Sequence, residues 1–181
     1  MDFPNLQDMI SSLPLIYLVA FVAILAVAGV VVVRQVLKNR SIESDLGKLE
    51  KKVKSPDCTA EDYYALASIY LDKKLFVQAV ILLNKALKSK TTNSDDFAPV
   101  HNALGYAYEC QEQYDVAIRN YKEAIKQDPS YVTAMNNLGH AYEQKKLTSQ
   151  ALEIYDQALQ LEPKNETANR RAESLRRRLV T

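Results

Sequence analysis

The longest feature of the hydrophobic pattern is an uncharged run near the amino terminus. Residues 13–33 contain no Asp, Glu, Lys or Arg. At ~1.5 Å per residue, an α-helix of this length matches the ~30 Å hydrocarbon core of a bilayer. The pattern predicts a transmembrane anchor at 13–33, preceded by an N-terminal segment at 1–12. A cleaved signal peptide is disfavoured, because Asp2 and Asp8 precede the run where basic residues would be expected.

Basic residues follow the apolar run directly. Arg34, Lys38 and Arg40 stand on its carboxyl-terminal side, whereas the amino-terminal side has no Lys or Arg. This asymmetry predicts that the rest of the chain lies in the cytoplasm or in its plastid equivalent, the stroma. Residues 34–58 are predicted to form a basic juxtamembrane helix and linker. Contact with anionic lipid headgroups is the alternative use of these charges.

Beyond the linker, small, apolar and aromatic residues recur with a period of 34. The stretch 102–108 contains a central glycine and ends in tyrosine, and it returns in the same register as 136–142. The match continues through Ala, Tyr and Pro positions, which are Ala117, Tyr121, Ala124 and Pro129 in one copy and Ala151, Tyr155, Ala158 and Pro163 in the next. This period and signature are those of the tetratricopeptide repeat (TPR), a unit of two helices.

A weaker copy precedes these two. Its apolar and aromatic positions correspond, but Ala67 replaces the glycine and no proline ends the copy. Thr59, three residues before Asp62, predicts a capped helix start. Roughly four extra residues near Ser94 predict a loop insertion. We therefore predict TPR 1 at 60–93, TPR 2 at 98–131, TPR 3 at 132–165 and a capping helix at 166–181.

Composition agrees with this pattern. The chain of 181 residues has four Gly and no Trp, and it is rich in residues that favour helices over strands. The predicted fold is all-α, with a single N-terminal transmembrane helix followed by a three-repeat TPR α-solenoid and a C-terminal capping helix. Cys58 and Cys110 match no metal or redox spacing, so we expect two reduced thiols.

Stacked repeats form a curved array whose concave face is lined by the first helix of each repeat. The fifth and ninth positions of these helices, and the corresponding place on the capping helix, are the predicted contacts with a partner protein. They are Tyr64, Ser68, Asn102, Tyr106, Asn136, His140 and Arg170. Amides, phenols and an imidazole can hydrogen-bond an extended peptide or cover a partner helix. The alternative is a hydrated surface without a partner.

Other classes of function find little support. The net charge of +1 gives no global signal for nucleic acid. The chain has no phosphate-binding loop, nucleophile motif or metal-ligand spacing, so we expect no catalytic residue, cofactor, metal or small-molecule substrate. The carboxylate clamp of chaperone adaptors is also absent, because its places hold Tyr64, Ser68, Ala103, Thr133 and Asn137. The five arginines of the last helix either aid solubility or bind an acidic partner.

Four segments give the chain a family resemblance. They are Arg34–Val36, Leu71–Leu75, Gln111–Asp115 and Arg171–Arg176. With them the chain closely resembles a TPR family of cyanobacteria and plastids, a hypothetical chloroplast reading frame family implicated in photosystem I assembly. The resemblance implies a thylakoid location, with repeats facing the stroma or cytoplasm and photosystem I subunits or assembly intermediates as partners. A receptor or scaffold for precursor proteins or another membrane complex is the alternative.

Overall fold

The computed structural model describes residues 6–89 and 97–180. This part of the chain forms eight α-helices. They are α1 (Leu6–Lys52), α2 (Ala60–Asp72), α3 (Phe76–Lys88), α4 (Ala98–Glu109), α5 (Tyr114–Gln127), α6 (Val132–Gln144), α7 (Thr148–Leu161) and α8 (Glu166–Val180). The chain divides into two compact units, residues 1–47 and 48–181. The predicted loop insertion near Ser94 lies outside the described residues.

The second unit is a solenoid of helix pairs. α2 packs on α3, α4 on α5 and α6 on α7, and each pair contacts the next element through α3 with α4, α5 with α6, and α7 with α8. Buried side chains from α5 to α8 form one continuous core. The predicted all-α, three-repeat arrangement with a terminal helix is therefore confirmed.

The first helix of each pair ends in the same way. Lys74, Glu112 and Lys146 have left-handed φ values of 59°, 60° and 59°. The following residue then donates its N–H to a carbonyl five positions back, as Leu75 does to Tyr70 at 2.8 Å. This arrangement satisfies carbonyl groups at the helix end and turns the chain toward the next helix. A non-glycine residue in this conformation costs about 1 kcal/mol, which the packing of the pair offsets.

Two glycines allow the helices of repeats 2 and 3 to pack closely. A Cβ atom at Gly105 would lie 2.5 Å from the ring of Tyr121, and one at Gly139 would lie 2.7 Å from the ring of Tyr155. Both tyrosines are fully buried. The predicted role of these glycines, close approach of paired helices, is confirmed.

The predicted N-cap, Thr59, fixes the start of α2 through a capping box. The Asp62 N–H donates to the Thr59 hydroxyl at 3.3 Å, and the Thr59 N–H donates to the Asp62 carboxylate at 3.0 Å. Lys52 Nζ lies 2.7 Å from Asp62 Oδ1, and the Tyr70 hydroxyl donates to Glu50 at 3.1 Å. Within the second unit, these contacts hold the end of α1 against α2.

α1 corrects the prediction of a membrane anchor. The helix has 47 residues and contains the whole apolar run at 13–33, although the side chains at 13–16, 19 and 20 lie outside the described ones. Crossing the ~30 Å hydrocarbon core takes ~20 consecutive and predominantly apolar residues in one helix. Among the described residues, no helix combines the length and apolar character that crossing a membrane requires. On this finding, the prediction of a transmembrane helix is wrong. The predicted single-pass topology falls with it.

Candidate partner-binding groove

The first helices of the three repeats lie side by side, because α4 contacts both α2 and α6. The predicted contact positions Tyr106 and His140 lie on this face, which we call the groove. Tyr106 is 45% exposed, and the side chain of His140 is 39% exposed. α4 and α6 bury other residues in the core. The groove therefore presents polar and aromatic groups on a packed support.

Tyr106 projects from α4 toward the first repeat. Its ring meets Phe76 edge to face, with centroids 6.4 Å apart and planes at 82°. Interaction with the Cys110 thiol raises the pKa of the Tyr106 hydroxyl, and burial and the carboxylates of Asp72 and Glu109 act in the same direction. The hydroxyl is therefore protonated near neutral pH, and it can donate a hydrogen bond.

Glu109, at the end of α4, connects three helices. Its Oε2 accepts a hydrogen bond from the Tyr121 hydroxyl on α5 at 2.6 Å, and its Oε1 is hydrogen-bonded to His140 Nδ1 on α6. The hydrogen bond to Glu109 raises the pKa of His140, and burial of the imidazole opposes this effect. Burial, followed by the charge of Glu109, raises the pKa of the Tyr121 hydroxyl. The Glu109 carboxylate thus accepts one hydrogen bond from a phenol that stays protonated, Tyr121, and one from an imidazole that can titrate, His140.

The same pairing of carboxylate and tyrosine recurs one repeat later. The Tyr155 hydroxyl on α7 donates to Glu143 Oε1 on α6 at 2.8 Å. A guanidinium nitrogen of Arg171 on α8 lies 3.6 Å from Glu143 Oε2. α4 and α6 therefore each carry a largely buried carboxylate near the helix end. Each carboxylate is bonded to the tyrosine of its own repeat and to a cationic or titratable group of the following repeat or terminal helix.

A cavity of about 320 Å³ opens between Tyr106 and His140. Its lining combines aromatic, amide, thiol and carboxylate groups from α4, the start of α5 and α6. The lining residues are Tyr106, Glu109, Cys110, Tyr114, Asn137, His140 and Gln144. Ligand pockets start at roughly 300 Å³, so this cavity can accept one large side chain of a partner.

The fifth-position asparagines link successive elements. Asn102 donates to the Tyr131 hydroxyl at 3.4 Å, and its Oδ1 accepts from Asn137 at 3.0 Å. Asn136 donates to Asn165 Oδ1 at 3.2 Å, the same separation of 29 residues. Asn136 Oδ1 is buried and has no hydrogen-bond partner among the described residues. These amides are held by the neighbouring repeat, so they contribute to the stacking of the repeats.

The other predicted contacts lie apart from the cavity between Tyr106 and His140. The Ser68 hydroxyl donates to the carbonyl of Tyr64 at 3.0 Å, one turn back in α2. Arg170 is exposed on α8, beside a cavity of about 450 Å³ that Lys164 and Glu173 also line. The structure therefore brings two of the predicted residues into one site and leaves Tyr64, Ser68 and Arg170 outside it.

Five residues that line this site were not predicted as contacts, namely Glu109, Cys110, Tyr114, Asn137 and Gln144. Glu109 and Glu143 recur 34 residues apart, each twelve residues before the tyrosine of its repeat, and this spacing was the available signal. The other four residues show no comparable pattern. Among residues 6–89 and 97–180, no three His, Cys, Asp or Glu side chains are grouped as metal ligands would be.

The fold and the groove define a scaffold for protein–protein interaction built from TPR units. Family profiles for the tetratricopeptide repeat match residues 60–93 and 132–165, and a TPR repeat profile matches residues 105–146. Proteins of this class typically present a binding face and carry no catalytic group.

The chain belongs to the ycf37 family of TPR proteins. It is 34% identical over 118 residues to ycf37 of Cyanophora paradoxa, covering 65% of this chain and 69% of that one. It is 30% identical over 170 residues to ycf37 of Pyropia yezoensis, covering 91% and 96%. The chloroplastic TPR protein PYG7 of Arabidopsis thaliana is 34% identical over 123 residues, but the match spans only 41% of PYG7. These relatives show that the protein is a TPR protein of the plastid or cyanobacterial type.

Solved structures share the fold. MamA aligns with a TM-score of 0.68 at 22% identity, over 76% of this chain and 78% of MamA. The first TPR domain of Spaghetti (RPAP3), bound to an HSP90 peptide, aligns with a TM-score of 0.62 at 20% identity, over 68% and 94%. YrrB, a TPR protein with an unusual peptide-binding site, aligns with a TM-score of 0.63 at 19% identity, over 76% and 69%. At these identities the likeness concerns the fold, and the peptides are ligands of those proteins.

Proposed function

We propose that this protein is a non-catalytic interaction factor that assists the assembly or stability of photosystem I. Its groove holds photosystem I subunits or assembly intermediates at the stromal or cytoplasmic side of the thylakoid. The cavity between Tyr106 and His140 carries the proposal, because it is an open, polar and aromatic site at the predicted contact positions of the first helices. Family membership among plastid-type relatives supports the photosynthetic setting.

The groups in the groove suit a protein partner. The amide nitrogen of Gln144 lies 3.0 Å from His140 Nε2, which holds both side chains in place. The Tyr106 hydroxyl and the oxygen of the Gln144 amide offer a donor and acceptors, which an extended peptide can use along its backbone. Asn102 and Asn136 are bonded to neighbouring elements. These contacts hold adjacent repeats together before a partner arrives, and such preorganisation lowers the entropic cost of binding.

An assembly factor has to leave when its complex is complete. The cavity admits about one side chain, so the contact with a partner depends on a small anchor and the surrounding groove. Interfaces of this kind fall in the transient class, below roughly 1,200 Å² of buried surface. We therefore expect weak binding to incomplete photosystem I complexes and release from the mature complex.

A pull-down through a C-terminal tag, from natively solubilised photosynthetic membranes, tests the proposal. Mass spectrometry should find photosystem I subunits, enriched in incomplete complexes. The double variant Tyr106→Ala/His140→Ala should lose them, since it removes two walls of the cavity. Arg119→Ala is the matched control, because Arg119 is exposed on the second helix of repeat 2 and lies outside the cavity lining.

Three outcomes would contradict the proposal. Stoichiometric recovery of a different complete complex would favour a structural scaffold, and recovery of precursor proteins without photosystem I subunits would favour a receptor. Equal loss of photosystem I subunits in both variants would show that the groove does not provide the specificity. Circular dichroism of each variant separates loss of binding from loss of folding.

A further inference from the structure

The cavity between Tyr106 and His140 has aromatic walls. Tyr106 and Tyr114 line it from α4 and from the start of α5, and Tyr106 is 45% exposed. Phe76 supports the Tyr106 ring through its edge-to-face contact. The faces of aromatic rings carry a negative partial charge, which attracts a cation within about 6 Å of the ring centre.

Carboxylates outnumber cations around this cavity. Glu109 belongs to the lining, with only 12% of its side chain exposed, and Asp72 is close enough to act on the Tyr106 hydroxyl. Glu143 pairs with Arg171, so these two charges offset each other. Of the described residues, no Lys or Arg lines the cavity. The local potential is negative whenever His140 is neutral.

We infer that the cavity binds a cationic side chain of the partner, an arginine, between the tyrosine rings and the Glu109 carboxylate. The inference rests on the proposed function and deepens it by naming the residue type that anchors the partner. Arginine fits better than lysine, because its planar guanidinium stacks on aromatic faces. Each Glu109 oxygen already takes part in one hydrogen bond and keeps a second lone pair that a guanidinium N–H can use.

Other anchors fit this chemistry less well. An acidic side chain or a carboxyl terminus would meet Glu109 and would have no cationic group in the lining to pair with. A large apolar side chain would remove water from Glu109 without supplying a hydrogen bond, and an unpaired buried charge is costly. A clamp for acidic peptide ends presents cationic side chains, whereas this cavity presents a carboxylate.

His140 controls how much charge Glu109 offers. Glu109 Oε1 is hydrogen-bonded to His140 Nδ1. The charged groups that face His140 are Glu109 from α4, Glu143 from α6 and Arg171 from α8. A protonated imidazole neutralises Glu109, whereas a neutral imidazole leaves its charge available to a guanidinium. Arginine binding should therefore weaken as the pH falls and His140 takes up a proton.

Titration of the full chain with two matched small probes tests the inference. Nα-acetyl-arginine methylamide carries the guanidinium, and Nα-acetyl-citrulline methylamide has nearly the same shape without the charge. We expect the arginine probe to bind roughly tenfold more tightly, from a cation–π contact and a charge-assisted hydrogen bond together. NMR shift changes should be centred on Tyr106, Tyr114 and His140.

Variants locate the effect. Glu109→Gln keeps the size and an acceptor for Tyr121, and it should remove most of the preference for the arginine probe, leaving the part that the tyrosine rings supply. Asp72→Asn, at an exposed residue, reduces the preference and serves as the second test if Glu109→Gln does not fold. Glu153→Gln is the matched control, because Glu153 is an exposed carboxylate on α7 outside the cavity lining.

The probe titrations and the pull-down can each fail independently, so their outcomes test the arginine site and the assembly role separately. Equal binding of both probes, no binding at the cavity, or an arginine preference that Glu109→Gln leaves undiminished would overturn the inference. Such a failure leaves the proposed role in photosystem I assembly untouched, since the groove can hold a partner through uncharged contacts. Conversely, a pull-down without photosystem I subunits would remove the assembly role, while the arginine preference would still be measurable on the isolated protein.

Discussion

Repeats 1 and 2 bring their two helices together around different residues. In repeat 2, Gly105 faces the buried ring of Tyr121, and repeat 3 uses the same combination. In repeat 1 the corresponding residues are Ala67 and Leu83, and both are fully buried. The alanine fits there because a leucine side chain lacks the ring that fills the space beside the glycine in repeat 2.

A third position also differs between repeats 1 and 2, and it differs together with the tyrosine. Glu109 accepts the Tyr121 hydroxyl in repeat 2, and the corresponding residue of repeat 1 is Leu71. Leu83 has no hydroxyl to donate, so a carboxylate at position 71 would lack this partner. The phenol, the glycine and the carboxylate therefore form one set of interacting residues, and the apparent irregularity of repeat 1 is a consistent replacement of that set.

The substitution Gly105→Ala should have the largest effect, a destabilisation of about 2 kcal/mol from overpacking. The new Cβ would lie 2.5 Å from the Tyr121 ring, which is fully buried and tied by its hydroxyl to Glu109. The higher helix propensity of alanine opposes this loss by at most ~1 kcal/mol. Chemical denaturation followed by circular dichroism gives the change in the free energy of unfolding.

Gly47→Ala is the matched control for this prediction. It adds the same atom to a helix, but a Cβ there meets nothing within 4 Å, so the stability should stay the same or rise slightly. If Gly105→Ala were as stable as the original protein, the Tyr121 ring would be free to move without cost. The packing difference between repeats 1 and 2 would then have no energetic meaning.

The second prediction rebuilds the pair of repeat 1 inside repeat 2. Tyr121→Leu alone removes the hydrogen bond to Glu109 and leaves unfilled space, so it should destabilise the protein. In the double variant Gly105→Ala/Tyr121→Leu, the alanine methyl group occupies part of that space. We expect the double variant to lose about 1 kcal/mol less than the sum of the two single losses, a coupling typical of residues in contact.

A second double-mutant cycle controls for general weakening of the solenoid. Gly105→Ala combined with Tyr155→Leu joins residues of different repeats, so their effects should add within about 0.5 kcal/mol. Additive effects for Gly105 and Tyr121 would show instead that the two positions do not interact. The co-occurrence of alanine and leucine in repeat 1 would then need another cause.

The repeats were open to prediction because each one is specified by residues close together in the chain. The period of 34 located Gly105 and Gly139, and their need for small size follows from the tyrosine in the same repeat. The partners of Asn102 and Asn136 were not open to prediction, since they depend on how one repeat stacks on the next. An exposed amide and an amide that bridges two repeats look the same in sequence.

The apolar run at 13–33 shows a different limit of sequence reasoning. Length and the absence of charge predicted a membrane-spanning helix, whereas the described residues contain no helix long and apolar enough to cross a membrane. The prediction rested on the length and composition of one run, with no second pattern in the chain to test it. By contrast, the predicted roles of Gly105 and Gly139 were supported by a repeated pattern as well as by composition.

The smallest predicted effect concerns the ninth position, where repeats 2 and 3 differ. Tyr106 occupies it in repeat 2, whereas His140 in repeat 3 is hydrogen-bonded to Glu109 of the preceding repeat. That hydrogen bond raises the pKa of His140 above its ordinary value of 6.5. The folded protein therefore binds this proton more tightly than the unfolded chain does.

This linkage fixes the sign of a pH dependence. The stabilisation is fully present below the unfolded pKa and is lost as the pH rises through the higher folded pKa. His140→Gln should thus cost more at about pH 5.5 than at about pH 8.5, by less than ~1 kcal/mol, because the imidazole is partly exposed and screened by solvent. Denaturation of both proteins at the two pH values measures the difference. Equal costs at both would mean that protonation does not strengthen the contact, and repeats 2 and 3 would then be joined by shape and neutral hydrogen bonds alone.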